Sequence, residues 1–129
     1  MANKERAIHL NYENIIFELL KKFPEYNEAY KEHIRYNGEL LPSVFVGETL
    51  NEDLVVWLEE HIEHNKLKKV FEFLEIMATE GDMEVKELLS TTILERLGDN
   101  PKLLKEAYIY MGENTKKESE EIERFWGRD

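Results

Sequence analysis

The sequence predicts an all-α, single-domain protein, and three observations carry that reading. Apolar residues recur at helical spacing through at least six segments, breakers are scarce at 6 Gly and 3 Pro, and no two β-preferring runs stand ready to pair. With 129 residues, 42% of them apolar, the chain can bury one core and is too short to divide readily. The expected architecture is one helical domain over 1–129. It holds about six or seven helices in an antiparallel, helical-repeat-like stack, with an irregular segment near 39–48 and frayed ends at 1–9 and 127–129.

Asn11 is a good N-cap for a first helix that carries Tyr12, Ile15, Ile16, Leu19 and Phe23 on one face until Pro24 stops it. A second helix groups Tyr26, Ala29, Tyr30, His33 and Ile34 and closes at Asn37-Gly38. Between Glu39 and Glu48, Pro42 and Gly47 interrupt an apolar stretch, which predicts a packed irregular segment, and Val44-Phe45-Val46 lacks a partner strand. A third helix starts at Asn51, turns Leu54, Val55, Leu58 and Ile62 inward with Trp57 beside them, and ends near Asn65.

The next helix, about 67–79, bears the stripe Leu67, Val70, Phe71, Leu74, Met77 and Ala78 and a second apolar pair, Phe73 and Ile76, which predicts a central position. Gly81-Asp82 is a stop followed by a cap, and Val85, Leu88, Leu89, Ile93 and Leu97 run to Gly98. Asn100-Pro101 opens a helix with Leu104, Ala107, Tyr108 and Met111 that Gly112 closes. The last helix, from about Asn114, is polar and has Ile122, Phe125 and Trp126 to dock it.

Composition excludes several functions. No apolar run approaches the length that spans a bilayer, and Met1-Ala2-Asn3-Lys4-Glu5-Arg6 lacks a secretory apolar stretch, so a cytoplasmic location is expected. The absence of cysteine removes disulfides, thiol catalysis and thiolate metal sites. A net charge of −11 disfavours nucleic acid and anionic membrane and favours a basic protein partner. Oligomeric state is left open.

That charge is concentrated. Between Tyr36 and Asn65 there is no Lys or Arg, yet Glu39, Glu48, Glu52, Asp53, Glu59, Glu60 and Glu63 contribute seven negative charges. A solvated helix usually interleaves both signs, so this window is the candidate partner-binding surface: Glu48, Glu52, Asp53, Glu59, Glu60 and Glu63, with Trp57 as apolar anchor. Solubility alone explains an acidic surface equally simply.

Other constellations are weaker. Glu59-Glu60-His61-Ile62-Glu63-His64 sets His61 and His64 three apart on one helix, an incomplete ligand set without the His-Glu-x-x-His pattern, so neither metal nor other cofactor is expected. His9 and His33 lack a catalytic partner, and Ser90-Thr91-Thr92 lacks a base or a Gly-rich elbow and reads as helix packing. No catalytic residue is assigned and no enzyme activity is expected.

Leu41-Pro42-Ser43-Val44-Phe45-Val46-Gly47 before a Trp-bearing helix, then Val70-Phe71-Glu72-Phe73-Leu74-Glu75-Ile76-Met77 and Gly81-Asp82-Met83-Glu84-Val85, resemble a family of small bacterial helical proteins akin to the immunity proteins of polymorphic toxin systems. The resemblance covers roughly residues 10–112. It implies a protein that binds a cognate toxin and masks its active surface, and it transfers no functional residue. The alternative is a non-enzymatic helical scaffold or adaptor in a bacterial complex.

Overall fold

The computed structural model describes residues 9–128; the expectations for residues 1–8 and 129 lie outside them. The described chain is helical. α1 (Ile15–Lys22) leads through a 3-10 turn (Pro24–Tyr26) into α2 (Asn27–Asn37), then α3 (Pro42–Glu48), α4 (Leu50–Glu60) and α5 (His64–Glu80). α6 runs over 83–98 with a π-helical stretch, Leu89–Leu94, in its middle, followed by α7 (Pro101–Tyr108) and α8 (Glu113–Phe125). Among the described residues the only β pairing is an isolated parallel bridge, Leu10 to Gly81, which ties the start of the chain to the α5–α6 turn. None of the described helices is long and apolar enough to cross a membrane.

The two long helices centre the core. α5 buries Leu67, Val70, Phe71, Phe73, Leu74, Met77 and Ala78, a face too wide for one neighbour, and it packs against α4, α6 and α8. α6 meets α3, α7 and α8. The order of contacts is therefore only partly that of a sequential stack, because α8 returns across α5 and α6. Three of the expected caps operate, whereas Asn51, expected to open its helix, lies buried inside α4, which starts at Leu50 after Thr49. Asp82 Oδ1 accepts from Val85 N–H at 2.9 Å, Asn100 Oδ1 accepts from Lys102 and Leu103 N–H, and Gly38 closes α2 with φ 78°.

Three segments differ from expectation. The stretch at 39–48 is irregular only as far as Leu41: Pro42 occupies the first turn of α3, where its missing N–H breaks no helical bond, so it starts a helix rather than preventing one. α4 stops at Glu60 instead of near Asn65, because His61 turns left-handed (φ 56°) and caps it, which leaves Ile62 45% exposed rather than inward. α8 does not dock through its aromatic end. Phe125 and Trp126 are exposed, while Thr115, Ser119 and Glu123, spaced one helical turn apart, are buried.

Candidate protein-binding surface

The inward residues of α4 decide what faces solvent. Leu50, Leu54 and Leu58 are buried in the core, together with Asn51, and helical geometry then turns Glu52, Val56, Glu59 and Glu60 outward, all of them exposed. Glu48 is exposed one step earlier, at the end of α3, and Glu63 is exposed one step later, in the turn to α5. Among the described residues none of these five glutamates meets a Lys or Arg within ion-pair distance.

The two ends of α4 are electrostatically unequal. Glu52 lies in the first turn, beside Asp53, where unsatisfied N–H groups favour negative charge. Glu59 and Glu60 lie in the last turn, where the helix dipole opposes them and no basic residue accompanies them. Helix stability therefore accounts for the first pair and works against the second.

Asp53 has another task. The Tyr26 hydroxyl donates to Asp53 Oδ2 at 2.5 Å, fastening α4 to the turn before α2. Burial, then this carboxylate, pushes the Tyr26 hydroxyl well above the usual phenol range, so it stays a donor. Trp57 is half-buried against the core with Lys66 Nζ 5.5 Å from its ring centre. The apolar side chains that stand outward within the acidic surface are Val56 and Ile62, 47% and 45% exposed.

The histidines occupy separate elements. His61 is the cap of α4 and His64 the first residue of α5, so they do not share one helix face, and each turns to α7 or the residues just after it. His61 Nδ1 lies 3.8 Å from Glu106 Oε2, and His64 Nδ1 is 2.7 Å from the Tyr110 hydroxyl. His33 is buried, with Nε2 accepting from Leu41 N–H at 2.9 Å, which pins the loop before α3. Thr91, within the π-helical stretch, donates to the Glu87 carbonyl at 2.8 Å. An open cleft of about 480 Å³ between α4 and α7 is lined by Glu59, His61, Lys102, Lys105 and Glu106 over Leu58 and Leu103, so both signs of charge face it.

The family model for a domain of unknown function, DUF7674, matches residues 16–127, from within α1 to just past α8. The chain belongs to the DUF7674 family. No curated protein and no solved structure matches it. Every element that forms the acidic surface lies inside the DUF7674 match.

The sequence did not single out the polar groups that hold α8. The Glu75 carboxylate receives the first turn of that helix, and Glu123 binds Arg128, which also reaches Asp99 at 2.7 Å. Only the proximity of charged residues to Gly98 and Gly112 in the fold reveals them, since those glycines leave room for the carboxylates of Glu123 and Glu75.

Proposed function

We propose that this DUF7674 chain is a non-enzymatic protein-binding module whose outward α4 face, continued by Glu48 and Glu63, engages a basic partner. The observation that carries the reading is the placement of Glu59 and Glu60 at the C-terminal end of α4, exposed and against the helix dipole. Charge kept where it disfavours the local fold is explained by what it meets outside. Val56 and Ile62 give that face apolar contact area, and Trp57, half-buried under Lys66, supports it from behind. The histidines and threonines support a non-catalytic reading, because His33 serves the Leu41 loop, His64 meets Tyr110, and the Thr49 and Thr91 hydroxyls bond backbone carbonyls.

The finer form of this proposal is an immunity-type protein that masks a bacterial toxin in the cytoplasm, and its support is the sequence resemblance together with the acidic face. The test is co-expression with the product of the neighbouring gene. Suppression of that product's growth inhibition, lost on Glu52→Lys with Glu59→Lys and Glu60→Lys in a folded variant, is the expected result. A harmless gene product that still binds would overturn the toxin reading and leave a scaffold or adaptor. Suppression that survives the triple reversal unchanged would remove the α4 face from the account.

A further inference from the structure

A second cleft, about 510 Å³, lies between α2 and α3 and differs from the α4–α7 cleft in its charge. Glu32 and Tyr36, four apart on α2, form one wall; Phe45 and Glu48 on α3 form the other; His33 lies at the base. The Phe45 ring packs edge-to-face with Tyr30 and His33 at centroid distances of 5.8 and 5.5 Å, which holds Phe45 and His33 in place along the cleft. The volume falls within the range that holds small ligands or a large side chain.

The inner polar groups are already engaged. His33 Nε2 accepts from Leu41 N–H, Asn37 Nδ2 donates to the His33 carbonyl at 2.9 Å, and Thr49 Oγ1 donates to the Phe45 carbonyl at 2.7 Å. What is left to a ligand is the Glu48 carboxylate, the Glu32 carboxylate and the 90% exposed Tyr36 ring. Glu32 pairs with Arg35 three residues on, an exposed pair of the kind that is readily exchanged. No Lys or Arg lines this cleft, whereas Lys102 and Lys105 oppose the carboxylates of the α4–α7 cleft.

A cation with a flat body suits such a site better than a compact ammonium. Guanidinium stacks on an aromatic face while its N–H groups fork onto a carboxylate. We propose that the α2–α3 cleft receives an arginine side chain of the basic partner, stacked on Tyr36 and paired with Glu48. This rests on the protein-binding reading above and deepens it, since Glu48 ends α3 and α4 begins two residues later, which makes the cleft continuous with the acidic face.

The test is a two-dimensional ¹⁵N–¹H titration at low salt with hexaarginine, hexalysine and hexacitrulline as probes. Hexaarginine is expected to shift the amides of 32–37 and 45–49 saturably, hexalysine more weakly, and hexacitrulline not at all. Tyr36→Ala with Glu48→Gln, both at exposed positions, should remove those shifts and weaken apparent affinity about fivefold, while the α4 triple reversal keeps them. Shifts confined to the outer face of α4, or unchanged in the double variant, overturn the arginine cleft and leave the basic-partner reading standing. No saturable shift anywhere with hexaarginine overturns both.

Discussion

Glu75 shows how one side chain can hold an element that apolar contacts do not. It is half-buried on α5, and its carboxylate accepts from Asn114 N–H and Nδ2–H at 3.1 and 2.7 Å and from Thr115 N–H and Oγ1–H at 2.9 and 2.8 Å. It therefore supplies α8 with the cap that no residue at its own N-terminus provides. Burial pushes the carboxyl up, but the four donors outweigh it and hold it below the ordinary value of 4.5. A carboxyl lowered by folding adds stability above 4.5, and that stability is lost as pH falls through the lowered value. Glu75→Gln should therefore cost about 1 to 2 kcal/mol at neutral pH in urea unfolding, with the difference from the natural chain shrinking as pH drops below the ordinary carboxylate range. An equal difference at pH 3 and pH 7 would contradict this. Nothing in the sequence around Glu75 distinguishes it from a solvated glutamate between Leu74 and Ile76, because its partners lie 39 and 40 residues away.

Elements marked by apolar spacing and by glycine, proline or a short polar cap were legible, and α5, α6 and α7 lie close to where those signals put them. Each misread element has its own cause. Pro42 reads as a breaker until the helix beyond it is known, the α4 cap is a left-handed histidine rather than a glycine, and α8 buries hydroxyls and a carboxylate instead of an apolar stripe. At the far end of α8, Arg128 joins Glu123 and Asp99 and also donates to the Glu95 carbonyl at 3.2 Å, in a tail that the sequence leaves loose. This arrangement depends on Gly98, where a Cβ would collide with the Glu123 carboxylate and come within 2.6 Å of Arg128 Nη2. Gly98→Ala should therefore destabilise by about 1 to 3 kcal/mol in thermal or urea unfolding, since overpacking outweighs the gain of about 1 kcal/mol in helix propensity. A net stabilisation would show that Glu123 and Arg128 move aside freely.

Across the whole molecule, the charge asymmetry of the sequence becomes spatial. The stretch from Tyr36 to Asn65 carries seven acids and no Lys or Arg, and folding turns much of it outward along α4 and the turns that flank it. The sequence located this surface but could not separate its members. Asp53 is spent on Tyr26 and Trp57 leans on the core, whereas Glu52, Glu59 and Glu60 remain outward. A surface of this kind acts mainly on encounter, where summed charge steers a basic partner over several ångströms of solvent. The most direct measurement is the association rate with the proposed basic partner, the product of the neighbouring gene, against ionic strength, for the natural chain and for Glu52→Lys with Glu59→Lys and Glu60→Lys. The account predicts a steep fall with salt for the natural chain, and for the variant a rate about tenfold lower at low salt with a flattened slope. Coincident rates and slopes for the two proteins would contradict it.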